Sequence, residues 1–499
     1  MDSLSDLINN LDTTEIKEFK SFLKKKNKRN DVKNIQLLNY LKTDDINNKN
    51  IFKLETKISN DAYHALRKRL SDALILFLSN KTFEKNNAEG NEALRLLIVS
   101  RYFFENEWNK IAYKCLQKAE KFAQKLEQYS LLNEIYLTRL QYAHLNPAED
   151  LNKLTIEFEF NQKQIQNEAK LNVIYALLRK EFQEIQLKGK ITNLNDLLTS
   201  TLRQFNYSLE DILTYKTLFQ ILFIANEYAS IKQNYQLIES FIKTAQQFIE
   251  SKKETAGNHL FYHIHIIYFL ANYSFRSQKF DECKTYLDEM LVLMQKQNNI
   301  YYSVYNPRYQ LLVSLLFHFT NNSLLAIKTI ENTLKTNHKN TKQEDIDDLV
   351  ATQAMILGQL LDKNALKTIA KLSHTDAWYE KKMGMLWTIR KNMMEILIHA
   401  QFEHTDYALS RIKSFKRRYK NYLHQSKEQI VMDYILIIEK YLLKPEIIRH
   451  HSFNEKLNHL IQNEQKGDIF LKSFLGWMIA IQQNISPYEA TMKLINNED

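Results

Sequence analysis

Seven glycines and four prolines in 499 residues constrain this chain more than any motif in it. Average usage is roughly 7% and 5%. Sheet proteins spend Gly and Asn-Gly on tight turns, and phosphate-cradling enzymes need Gly where backbone approaches a ligand. A chain this poor in both is all-α. No two of its glycines lie within six residues of each other, so neither a dinucleotide fingerprint nor a Walker loop can be drawn. His-Glu-x-x-His, Cys-x-x-Cys and the acidic calcium loop are also absent from the sequence. The expectation is a protein that is not an enzyme, with no cofactor and no metal.

The stretch EALRLLIVSRYFFENEWNKIAYKCLQKAEKFA at 92–123 reads as two amphipathic helices joined by a polar turn. Leu96, Val99, Ser100 and Phe103 form the expected seam of the first arm, and Ala112, Leu116 and Ala119 that of the second. Small Ser100 and Ala112 stand where two backbones approach closely. The opening residue of each second helix gives a period, with Leu237, Cys283, Ala326, Ala365 and Ala408 following at intervals of 46, 43, 39 and 43. Helix, break and helix are readable at 269–290, 314–334, 357–372 and 395–415.

A small residue and an aromatic, followed by Ala-x3-Leu-x2-Ala, resembles the tetratricopeptide repeat. The resemblance implies a right-handed α-solenoid of antiparallel helix pairs (TPR-like) over 87–499, with an N-terminal helical cap module at 1–86. The departures are a longer period, Ser100, Ala271 and Ser314 in place of the first-helix Gly, and no closing Pro. The match is poorest over 145–215, where TIEFEF is either a short strand-like linker or a helix rich in Phe and Glu.

In the N-terminal module helices are expected near 3–10, 13–27, 33–42 and 60–79. Asp12 to Glu15 and Ser59 to Asp61 supply helix starts. Lys24 to Arg29 is a charged turn, and 44–50 is a polar link. Leu66, Leu70, Ala73, Leu74 and Phe77 share one face of the last helix.

The net charge of +10 is uneven, with 17 Lys/Arg against 12 Asp/Glu over 1–86 and 10 against 4 over 409–451. Such a balance favours an acidic partner. The densest run places Lys413, Lys416, Arg417 and Lys420 along one helix stripe, with Tyr419 and Tyr422 interleaved, a pattern able to meet phosphates. The alternative is a solvated outer face. Glu344 to Asp348 reads as the solvated first turn of a helix. His259 and His263 share a face while His265 points away, so the three read as partly exposed helix histidines. Cys115 and Cys283 read as reduced core residues. The start lacks a basic signal region and the longest apolar run, at 260–270, is too short to span a bilayer, so the expectation is a cytoplasmic protein without a membrane segment.

Resemblance to the tetratricopeptide family further implies that one stripe of each first helix faces a concave groove. The matching residues are Arg101, Tyr268, Asn272 and Arg276, with Arg308 near the start of the next helix. The function this implies is a scaffold or adaptor that holds a protein or peptide. The alternative is a transcriptional or RNA-linked regulator, with a nucleic-acid-binding N-terminal module and a solenoid sensor.

Overall fold

The computed structural model describes residues 3–9, 11, 13–26, 32–41, 52, 56, 58–85, 89–188, 194–204, 213–232, 234–254, 256–336, 341–426, 429–463 and 468–496. Among these there is no strand, and no helix is long and apolar enough to cross a membrane. The proposed cap at Asp12, the end of the basic run from Asn27 to Arg29 and the polar link at 44–50 lie outside the described residues. The chain divides into two compact units, residues 1–165 and 166–499.

In the first unit, α1 (Ser3–Asn9), α2 (Thr13–Lys26) and α3 (Val32–Leu41) fall within a residue of the bounds the sequence predicts, while α4 (Asn60–Lys85) starts where expected and continues past the expected end at 79. Their apolar faces close a core of their own, in which Leu4, Ile8, Phe19, Leu37, Leu70 and Leu74 are buried. Ser59 Oγ accepts the Ala62 N–H at 3.2 Å and caps α4. Lys81 ties α4 to α2 through Glu15 at 3.2 Å. A second core follows, built from α5 (Glu89–Glu105), α6 (Asn109–Lys125), α7 (Tyr129–Tyr142) and the start of α8 (Leu151–Lys188). The TIEFEF segment lies inside α8, so of its two readings the helical one holds.

The seam of α5 differs from the expected one. Ala93, Leu97, Ser100 and Phe104 are buried, whereas Val99 is 40% exposed. This helix is apolar on more than one side, so spacing alone admits two neighbouring stripes, and packing against α6 selects the one that centres on Ser100. On α6 the expected Ala112, Leu116 and Ala119 are fully buried. Cys115 is only half-buried, unlike Cys283, whose thiol burial pushes up to about 12.

The second unit continues with α9 (Leu194–Gln204), α10 (Tyr215–Ile231), α11 (Glu239–Ser251), α12 (Leu260–Arg276), α13 (Phe280–Met294), α14 (Tyr302–Phe319), α15 (Ser323–Lys335), α16 (Gln343–Gln359), α17 (Asn364–Ile369), α18 (Asp376–Lys382), α19 (Met385–Gln401), α20 (Thr405–Gln425), α21 (Gln429–Leu443), α22 (His451–Asn463), α23 (Ile469–Gln483) and α24 (Pro487–Asn496). The pairs α12/α13, α14/α15, α16/α17, α19/α20 and α23/α24 each fold back across a short turn. The first helices α10, α12, α14, α16 and α19 pack side by side in that order.

These turns share one construction without glycine. Glu107, Gln278, Asn321, Leu361, Glu403 and Asn484 each end a helix with positive φ, between 54° and 68°. The next N–H then reaches back to an earlier carbonyl: Lys279 to Ser274 at 2.8 Å, Asn322 to Phe317 at 2.8 Å, Asp362 to Leu357 at 2.9 Å and His404 to His399 at 2.9 Å. That is the Schellman closure, normally made by Gly because a Cβ is strained there. The same register buries small residues at helix crossings: Ser100, Ala271, Ser314 and Ala354 on first helices, and Ala112, Cys283, Ala326 and Ala408 on second ones, are all 0% exposed. Leu237 is out of register, since it is 43% exposed while neighbouring Ile238 is buried.

The turns yield a direct expectation. Leu361 carries a γ-branched side chain at φ 60° and is 51% exposed. Leu361→Gly removes the Cβ strain and loses little packing, so it is expected to stabilise the protein by about 1 kcal/mol. A lower urea midpoint for the variant in denaturant melts would contradict this account of the turn.

Candidate functional site

The first helices of the second unit line a cavity of about 340 Å³ that is open on one side to solvent. Its wall takes Asn226 from α10, Tyr268, Asn272 and Arg276 from α12, Leu312 and Leu315 from α14, Asp348, Met355 and Gln359 from α16, and Trp387, Arg390 and Lys391 from α19. Phe470, Phe474 and Trp477 of α23 complete it. Helix α23 reaches this place because α24 packs on α16 and Tyr488 donates to His318 O at 2.8 Å and Asn321 Oδ1 at 3.0 Å. Gly476 lets the two C-terminal helices meet, since a Cβ there would stand 3.1 Å from the Thr491 backbone.

Three of the five residues proposed for the groove line this cavity together: Tyr268, Asn272 and Arg276. Asn272 donates to Asn226 Oδ1 at 2.7 Å, so each amide fixes the other. Tyr268 is half-buried, and desolvation pushes its hydroxyl up to about 12. Arg276 is only 7% exposed. It forms an ion pair at 3.0 Å with Asp468, whose side chain is wholly buried, and its guanidinium sits 4.8 Å and 4.4 Å from the ring centres of Tyr235 and Phe470. Its charge is therefore matched within the fold. Arg308 does not line the cavity; it stands behind Tyr268 in an ion pair with Asp345 at 3.0 Å. Arg101 belongs to the first unit, where it holds Glu134 at 2.7 Å and Thr138 Oγ1 at 3.1 Å.

The basic stripe on α20 is divided. Lys416 is half-buried and bonds both Glu439 oxygens, at 2.6 and 2.7 Å, whereas Lys413, Arg417 and Lys420 are exposed. Tyr419 and Tyr422 are buried, so neither ring is presented for base stacking.

The acid cluster on α16 corrects the sequence reading. Glu344 and Asp345 occupy the first turn, but Asp347 is 3% exposed and Asp348 lines the cavity. Trp387 Nε1 donates to Asp348 Oδ1 at 2.6 Å. Burial, outweighing that bond, lifts the Asp348 carboxyl to about 7. Sequence reasoning missed Asp348 because its helical position puts it one turn inside an apparently solvated end. The spacing Asp348, Thr352, Met355, Gln359 is the signal that shows it sharing a face with core residues.

Of the three histidines, His259 and His265 are partly exposed as expected, and only His263 is more enclosed. His263 is 4% exposed, and His259 and His263 both meet the Tyr215 ring. His265, on another face, contacts Phe219 and bonds the Tyr305 hydroxyl. Burial holds His263 and His265 down at about 4, so both are neutral. His318 is likewise held at about 4 and bonds Gln359 Oε1 at 2.6 Å. Among the described residues no three His, Cys, Asp or Glu side chains gather to hold a metal.

Compared with known proteins, the chain matches no protein-family model and none of the curated proteins.

Proposed function

We propose that this protein is a non-enzymatic binding module of the cytoplasm, a right-handed TPR-like solenoid that captures a segment of a protein or peptide partner in the cavity of its second unit. The observation that carries the reading is the convergence of side chains from α10, α12, α14, α16, α19 and α23 on one cavity. Its volume falls in the roughly 300–1,000 Å³ range of ligand sites. Apolar Leu312, Leu315, Met355 and Phe474 supply burial for a side chain, while the Asn226–Asn272 amide pair supplies backbone-like hydrogen bonding. The surplus of cations over 409–451, with Lys413, Arg417 and Lys420 exposed, favours a partner that is acidic outside the anchored segment.

The test is selection from a random-peptide display library on the full chain, with affinities then measured by fluorescence anisotropy. Met355→Trp fills the cavity. Selected peptides are expected to bind it at least tenfold more weakly while its circular dichroism stays that of the parent. Failure to select any peptide, or equal binding by the filled variant, would overturn the assignment.

A further inference from the structure

Helix α16 presents one stripe to the cavity, from Asp348 through Thr352 and Met355 to Gln359. Three helical turns separate the first from the last, which at 1.5 Å per residue is about 16 Å. Asp348 and Gln359 therefore stand at well-separated points of the cavity wall, and a single ligand that meets both needs an extended stem.

The ends of the stripe differ chemically. At one end the Asp348 carboxylate receives the Trp387 indole N–H at 2.6 Å and lies beside Tyr268. Arg308, a cation that acts on Asp348, is already bound to Asp345 at 3.0 Å. The other cations of the wall have their own carboxylates: Arg276 and Arg390 stand 3.0 and 3.5 Å from Asp468, and Lys391 stands 2.9 Å from Glu395. A carboxylate held in low dielectric with one neutral donor is poorly compensated, which its rise to about 7 reflects. Aromatic side chains beside a half-buried, poorly compensated acid are surroundings that favour an incoming cation. At the other end Gln359 is 6% exposed, its Oε1 is taken by His318, and its Nε2 has no partner. A buried donor left unpaired calls for an acceptor on whatever enters.

We propose that Asp348, flanked by Trp387 and Tyr268, is the subsite for an ammonium or guanidinium group on an unbranched apolar stem, and that Gln359 Nε2 donates to a carbonyl oxygen of the same ligand. This rests on the peptide reading of the cavity, within which the cation is a lysine or arginine side chain. The chemistry is shared by a free alkylamine, and the experiment separates the two sources. The chain as a whole is basic, so the anchor is a local exception to the long-range preference for an acidic partner.

Peptides selected on the full chain are expected to share a Lys or Arg at one position. Replacing that residue by norleucine, of similar length and no charge, should weaken binding to the parent protein at least tenfold. Asp348→Asn, which still accepts from Trp387, should bind the parent and norleucine peptides alike. If peptides bind but norleucine substitution changes nothing, or if Asp348→Asn keeps the preference for the cation, the cation subsite is wrong and the peptide reading survives. If no peptide is captured, calorimetric titration with 1,6-diaminohexane decides. Saturable binding that Asp348→Asn abolishes retains the subsite with a free amine as its occupant, and no binding overturns it.

Discussion

Arg276→Ala is expected to destabilise the second unit by about 3–5 kcal/mol, because it leaves the Asp468 carboxylate buried with only the more distant Arg390. The Arg276 side chain is 5% exposed and that of Asp468 0%, and the guanidinium is also sandwiched by Tyr235 and Phe470. A fall of roughly 5–10 °C in melting temperature follows for a unit of this size. Removing both charges, as Arg276→Met with Asp468→Asn, should recover much of the loss, because the destabilisation comes from the stranded carboxylate. Scanning calorimetry of the parent, single and double variants measures this. A single variant that melts within about 1 °C of the parent would show that the pair does not hold the unit closed. The position also reverses an expectation drawn from sequence. As a free groove residue, Arg276 would tolerate charge reversal, but Arg276→Glu sets a second carboxylate against Asp468 and is expected to prevent folding of the unit.

The second large effect depends on pH. The Asp348 carboxyl rises from an ordinary value of 3.8 to about 7 in the folded protein. Below about pH 4 it is protonated in both states and its burial has no electrostatic cost. As pH rises from there the unfolded chain releases this proton and the folded one keeps it, so stability falls until the group ionises in both states above about pH 7. A shift of this size corresponds to at most ~4 kcal/mol. Asp348→Asn keeps the Trp387 hydrogen bond and removes the titration, so at pH 8 it is expected to be more stable than the parent by about 2–4 kcal/mol. That advantage should shrink towards zero near pH 4. Asp345, Asp347, Arg308 and Tyr268, the other ionisable groups around the site, are common to both proteins and cancel in the comparison. Melting curves from pH 4 to 8 give the answer, and an advantage that does not change with pH would mean Asp348 ionises normally.

Local pattern made the helices legible, and long-range packing made the site only partly so. The bounds of α1 to α3, the start of α4 and the crossings at Ser100, Ala271, Ser314, Ala326 and Ala408 follow from spacing and side-chain size, which act over a few residues. Tyr268, Asn272 and Arg276 line one cavity together because they share a stripe of one helix. The α5 seam and the Leu237 register slipped by one position where apolar residues surround the helix and no single face stands out. Asp348 and Arg276 were misjudged for another reason: their surroundings come from other helices. Arg276 meets Asp468 across 192 positions of sequence, and Asp348 meets Trp387 across 39. No window a few turns long contains those partners, so an Arg that is already satisfied reads the same as one that awaits a ligand.

The closure of the cavity by α23 has a consequence for synthesis. Paired helices such as α12 with α13 have all their turn contacts within a short stretch and can form as they emerge from the ribosome. Phe470, Phe474 and Trp477 reach the wall, and Asp468 reaches Arg276, only after some 190 further residues have been made. The nascent chain therefore carries a Tyr268 and Arg276 surface without its cover until α23 arrives. The cavity is the last part of the unit to be completed, and a polypeptide stopped short of α23 would present to chaperones the apolar face that α23 covers in the finished protein.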